Sequence, residues 1–210
     1  MYFIGKRVIR CTVAYLACSV FTLIAAAQSI RNIDLRNYSY PFVQDRAVPE
    51  AVRWMPIMAE PRIELKDGRH VFTSADCRAS RSGCPLLSVD EIRYGEIASI
   101  PREVAVVVMT YHTGGTATWQ YVYVVSLQSG SPEVIGWLEA GSRGYEGLRR
   151  LSIDHGELVV VVNDPTKRSG DCCSAGSITI RYRWHEGSFQ EIGSPVPSEP
   201  GRQYADHDQT

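Results

Sequence analysis

Val104-Ala105-Val106-Val107-Val108-Met109 is an unbroken apolar run. It is short for a helix and rich in β-branched residues, the pattern of a strand buried on both faces. Tyr121 to Leu127 is a second run, apolar and aromatic, of high β propensity. After the turn residues Ser129-Gly130-Ser131-Pro132, Val134 to Leu138 is predicted to return as its hairpin partner. Leu158 to Val162 is another buried run. Ile178, Ile180, Tyr182 and Trp184 alternate with Thr179, Arg181 and Arg183, which predicts a strand with one wet face. His185-Glu186-Gly187-Ser188 then turns the chain into Phe189 to Ile192.

These pieces recur. Glu103 followed by Val-Ala-Val-Val-Val matches Glu157 followed by Leu-Val-Val-Val-Val, and Gly130-Ser131 matches Gly187-Ser188. The second interval is slightly longer, and the extra residues fall in the loop that contains GDCCSAG. The fold class expected is mainly β, with repeated antiparallel strand-loop-hairpin units at about 88–140 and 146–193 in a partial propeller-like or sandwich arrangement. A closed propeller needs at least about four blades. Residues 28–193 are read as a single β-rich domain and 194–210, rich in proline and acidic residues, as a disordered tail. Within Arg62 to Thr73, Lys66-Asp67-Gly68-Arg69 predicts the turn of a hairpin. A short helix is expected from Pro49 to Trp54.

The N-terminus has a different pattern. Lys6, Arg7 and Arg10 precede an uncharged apolar stretch from Cys11 that ends at Ala25-Ala26-Ala27, which is the layout of a signal peptide over residues 1–27. The stretch is also near the short limit for a retained membrane anchor, and Cys18 would be the modified residue of a lipoprotein. Cleavage predicts a periplasmic or secreted protein with no stable membrane span. Its removal takes away three cations and leaves a chain more acidic than the net charge of −1 of the whole, a poor partner for nucleic acid.

Export changes how the cysteines read. Four of the six remain, Cys77, Cys84, Cys172 and Cys173, and an even number in an exported chain predicts disulfides. Three pairings are possible and all stay open. The spacings suit neither a zinc knuckle nor a C-x-x-C redox site, so no metal and no cofactor is expected.

Tyr94-Gly95-Glu96-Ile97, a loop, then Glu103-Val104-Ala105-Val106-Val107 resembles the FG-GAP or VCBS-type repeat. The chain is also similar to a group of uncharacterised exported bacterial proteins, through Gly147-Leu148-Arg149, His155-Gly156-Glu157-Leu158, and Asp171-Cys172-Cys173 with Arg181-Tyr182-Arg183-Trp184. The resemblance implies an architecture and no activity. The loop in which FG-GAP repeats bind calcium is Ala98-Ser99-Ile100-Pro101-Arg102, which has no carboxylate. Calcium wants six to eight oxygens, so none is expected there.

His112 leaves a buried run and enters Thr113-Gly114-Gly115-Thr116, a place where binding residues often sit. Acid–base work by His112 would need a carboxylate or nucleophile nearby, and Asp76, Asp164 and Asp171 are loop candidates. Arg78 and Arg81 lie between Cys77 and Cys84, where a closed ring would present them as a protease inhibitor presents its scissile-like bond. No hydrolase, nucleotide or dinucleotide motif occurs. The function expected is a non-catalytic binding module for an unknown protein or envelope component. The alternatives are a protease inhibitor using the Cys77 to Cys84 loop and a hydrolase using His112.

Overall fold

The run at Val104 is the centre of the molecule because both of its faces are covered. A computed structural model describes residues 28–41, 62–73, 83–115, 118–142, 147–167 and 174–198. The strands are β1 (Ser39–Pro41), β2 (Arg62–Glu64), β3 (Arg69–Val71), β4 (Leu86–Gly95), β5 (Val104–His112), β6 (Thr118–Gln128), β7 (Ser131–Glu139), β8 (Leu148–Asp154), β9 (Glu157–Asn163), β10 (Ser177–His185) and β11 (Ser188–Ser198). They form a pair β1-β2, a five-stranded sheet β3-β4-β5-β6-β7 and a four-stranded sheet β11-β10-β9-β8. Neighbouring strands run antiparallel. The fold is therefore mainly β, and β4 to β7 and β8 to β11 are each an up-and-down meander.

Strand alternation sends successive side chains of β5 to opposite sides. Ala105, Val107, Met109 and Tyr111 join one core with Ile30, Leu35, Tyr40 and Ile63 of the N-terminal layer. Val104, Val106 and Val108 join a second core with Leu151, Leu158, Val160 and Val162 of the four-stranded sheet. Three layers result, with the five-stranded sheet in the middle. Fully burying one such valine is worth about 1.5–3 kcal/mol. The N-terminal layer is set by two 3-10 turns, Ile30–Asn32 and Leu35–Asn37, capped by Ser29 and Asp34. Arg31 then anchors it with a two-toothed ion pair to Glu103 (2.6 Å at the closest) and stacks over Tyr94.

In two corrections to the sequence reading, local chemistry or register overrides the periodic pattern. The Asp67-Gly68 turn forms, both residues having positive φ, with paired hydrogen bonds between Lys66 and Arg69. The turn closes one antiparallel bridge, Lys66 with Arg69, beyond which the flanking strands part: β2 pairs with β1, and β3 with β4. The second correction concerns the tail. Ser194–Ser198 lies in β11, with Val196 opposite Thr179 and Ser198 opposite Ser177. Pro195 and Pro197 fit there because β11 is an edge strand, where a missing N–H costs no ladder bond.

Two strands, β4 and β8, are hidden from the periodic pattern. β4 carries a bulge between Val89 and Glu91, so Leu87, Val89, Ile92 and Tyr94 reach one core across a broken alternation. β8 is bulged between Leu148 and Arg150, which turns Leu148, Leu151 and Ile153 to the same side. Residues 49–54, where a helix was expected, lie outside the described residues, as does the tail beyond Ser198.

The two sheets approach most closely at glycines. A Cβ on Gly136 of β7 would lie 2.8 Å from the Phe189 ring and 3.0 Å from Trp184, and one on Gly95 would lie 2.7 Å from Ile153. Trp184 and Phe189 are themselves locked edge to face, with ring centroids 5.0 Å apart, so the ring cannot swing away freely. Gly136→Ala is expected to destabilise the fold by about 1–3 kcal/mol, the usual cost of overpacking. A urea titration would show it as a lower midpoint at unchanged slope.

Candidate functional site at the loop-bearing end of the sheets

The two ends of the layered sheets are built differently. One end is closed by two-residue turns at Ser129-Gly130, His155-Gly156 and Glu186-Gly187, each with positive φ at both positions. The β4–β5 loop joins them there, through a hydrogen bond from the Ala98 N–H to the Gly156 carbonyl (2.8 Å). In that loop Ile97 and Ile100 are buried in the second core, and Glu103 is engaged by Arg31.

The opposite end carries the longer connections. Leu86, His112 and Thr118 lie side by side there, at the ends of β4, β5 and β6. Gln120 ties the two sheets together: its Oε1 accepts from the Leu148 N–H (2.7 Å), and its backbone bonds Ala140 and Gly141. Because Leu148 pairs with Val162, the β9–β10 loop also emerges at this end.

The register brings two of the sequence-derived candidates together. Gly114 has φ +84, and a Cβ there would stand 2.6 Å from the Gly83 carbonyl oxygen. The backbone leading into Cys84 therefore lies directly on the loop that follows His112, at a distance only glycine permits. Cys84 is half of a disulfide whose other sulfur lies outside the described residues. Phe72 N–H donates to the Pro85 carbonyl (2.9 Å), fastening the same segment to the β3 side. Cys77, Arg78, Arg81, Cys172 and Cys173 lie outside the described residues.

The described base of the loop that holds Cys172 and Cys173 is organised by Asp164. Its carboxylate accepts from the Thr166 N–H (2.9 Å) and hydroxyl (2.6 Å) and faces Lys167 (3.9 Å). Its backbone bonds Gly176, and its carbonyl accepts from the Ser174 hydroxyl (2.7 Å). The Thr166 hydrogen bonds hold the Asp164 carboxyl below the ordinary aspartate range. Asp164 thus acts as a clasp and is not brought to His112: its partners are its own loop.

Among the described residues no hydrogen bond or ion pair engages the His112 side chain. The nearest chemistry on its face is one row along the sheet, where Ser88, Thr110 and Gln120 are in register. Asp90, the residue extruded by the β4 bulge, accepts from both the Thr110 and Ser88 hydroxyls. Sequence reading passed over Asp90 and Gln120, because one sits in a bulge and the other shows its role only across sheets. Burial pushes the Tyr111 hydroxyl up to about 12, so it stays protonated at neutral pH. Among the described residues no three His, Cys, Asp or Glu side chains converge as metal ligands, and no helix is long and apolar enough to cross a membrane. Two open grooves of about 370 Å³ each lie at Ile135–Glu139 with Phe189 and around Ile97–Arg102, away from Cys84 and His112.

Arg181 and Arg183 do lie on the outward face of β10, with Tyr182 and Trp184 in the core behind them. Both are paired: Arg181 bonds Glu157 and Asp154 at 2.8 Å each, and Arg183 bonds Glu157 at 2.8 Å. His155 and His185 sit at the turns, exposed and beside Asp154 and Glu186.

Comparison with family models, with curated proteins and with solved structures yields no match.

The Arg181 hydrogen bonds hold the Asp154 and Glu157 carboxyls below their ordinary ranges. A depressed carboxyl pKa contributes stability above its unfolded value and loses it as pH falls through the folded one. Arg181→Gln should therefore destabilise most at neutral pH. The gap from wild type should narrow as pH falls between about 5 and about 1. Urea midpoints across that range, with carboxyl NMR titration of Asp154 and Glu157, check it. A gap independent of pH would show that Arg181 acts through packing alone.

Proposed function

We propose that this chain is exported and works as a non-catalytic binding module in the periplasm or outside the cell, presenting the loop-bearing end of its sheets to a protein or envelope component. The observation that carries the reading is the seating of the Cys84 segment on Gly114. It joins residues 83–84 and the loop after His112 into one continuous surface. Rigid strands position these loops; at the other end three connections are two-residue turns, and the β4–β5 loop is held down by Ile97 and Ile100 buried in the second core. Export is supported by the residues that follow the Ala25-Ala26-Ala27 processing pattern: Ser29 caps the first described turn and Ile30 is buried.

Two details of the reading follow from the same residues. Of the three open pairings, Cys77 with Cys84 is the one that would close a ring carrying Arg78 and Arg81. The likeness of the β4–β5 segment to an FG-GAP or VCBS-type repeat describes a shared strand-loop-strand plan whose ion loop has been replaced by apolar packing at Ile97 and Ile100. Among the described residues no side-chain hydrogen bond or ion pair to His112 supports the hydrolase alternative.

The test is site-directed photo-cross-linking of the full chain in its native compartment. Gly115 is exposed, and a Cβ there meets only the Thr113 hydroxyl at 3.8 Å, so it accepts a photoreactive side chain. A discrete adduct is expected from position 115 and none from Ser188 at the opposite end. Equal labelling at both positions, or none at 115, overturns the assignment of the surface. Trypsin titration examines the inhibitor alternative: rapid cutting after Arg81 with no slowing of the protease is the expected result.

A further inference from the structure

The first described residues have a chemical consequence of their own. The Ser29 side chain accepts from the Arg31 N–H (3.2 Å) and its carbonyl from the Asn32 N–H (3.0 Å). Ile30, at 1 % exposure, is part of the first core. Processing downstream of Ser29 would strip a cap and then a core residue, whereas processing at the small-residue pattern leaves Gln28 as the first residue. Gln28 is exposed, and its carboxamide makes no hydrogen bond among the described residues. It lies beside the β6–β7 turn, with Oε1 3.7 Å from the Cβ position of Gly130.

From these facts, and resting on the export reading, we infer that Gln28 is a modification site: the mature N-terminus is a pyrrolidone carboxylate. The neutral α-amine of Gln28 attacks Cδ of its own carboxamide. A five-membered lactam N–C bond forms, the Cδ–Nε2 bond breaks, and the proton lost by the amine leaves with the nitrogen as ammonia. No oxidant, reductant or cofactor enters. An α-amino group has a pKa of about 7.7–8.0, so an appreciable fraction is neutral and nucleophilic near neutral pH. A free side chain at an exposed terminus can fold back on its own amine, which a carboxamide held in the sheet could not do. The product has lost the terminal positive charge and gives aminopeptidases no free amine to grip.

Intact mass and N-terminal peptide mapping of the exported, full-length product test the inference. The expected species begins at position 28, is lighter by one ammonia than the chain with a free N-terminal Gln, and regains a sequenceable N-terminus at Ser29 after treatment with pyroglutamyl peptidase. A Gln28→Ser variant should begin at the same position with a free amine. A product that begins at Gln28 but keeps its amine after prolonged incubation at neutral pH overturns the inference and leaves export standing. A product cleaved at another position likewise overturns the inference and leaves export standing, and one that retains residues 1–27 overturns the inference together with the cleaved signal peptide on which it rests.

Discussion

A strand that is apolar on both sides must be covered twice, and the architecture follows from that demand. β5 takes one cover from the N-terminal layer, through Ile30, Leu35 and Tyr40, and the other from the four-stranded sheet, through Leu158, Val160 and Val162. Neither cover is held by one kind of force. The N-terminal layer adds the Arg31–Glu103 ion pair and a hydrogen bond from the Tyr38 hydroxyl to the Pro132 carbonyl (2.8 Å). The second sheet adds the close approaches at Gly95 and Gly136 and the Gln120 tie.

How much of this could be read beforehand depended on whether a side chain's job is local. The runs at Val104, Tyr121 and Leu158 declare themselves, since double-sided burial needs no partner to be recognised. The alternation from Ile178 to Trp184 separated wet from dry face, and the turns at Gly130 and Gly187 were visible from their glycines. β4 and β8 were hidden, because each slips its alternation by one residue at a bulge. The fate of the Asp67-Gly68 turn was equally hidden: its chemistry is local, but the choice of partners for the strands it joins is decided by β1 and β4.

The site was legible only in fragments. His112 and the approach to Cys84 were each conspicuous, and nothing along the chain said that they meet. Their meeting is a matter of register, Leu86 opposite His112, and of a glycine that lets one backbone rest on another. Asp164 drew notice as a loop carboxylate, yet its oxygens are spent on Thr166, a use that sequence proximity alone could have suggested.

The bulges have a further consequence for how such a protein behaves in crowded surroundings. β4, β7, β8 and β11 each carry a register slip, and β11 adds two prolines. A foreign strand seeking to zip along the borders β7, β8 or β11 would find its ladder interrupted within a few residues. These three borders are thus poor templates for growth into fibrils.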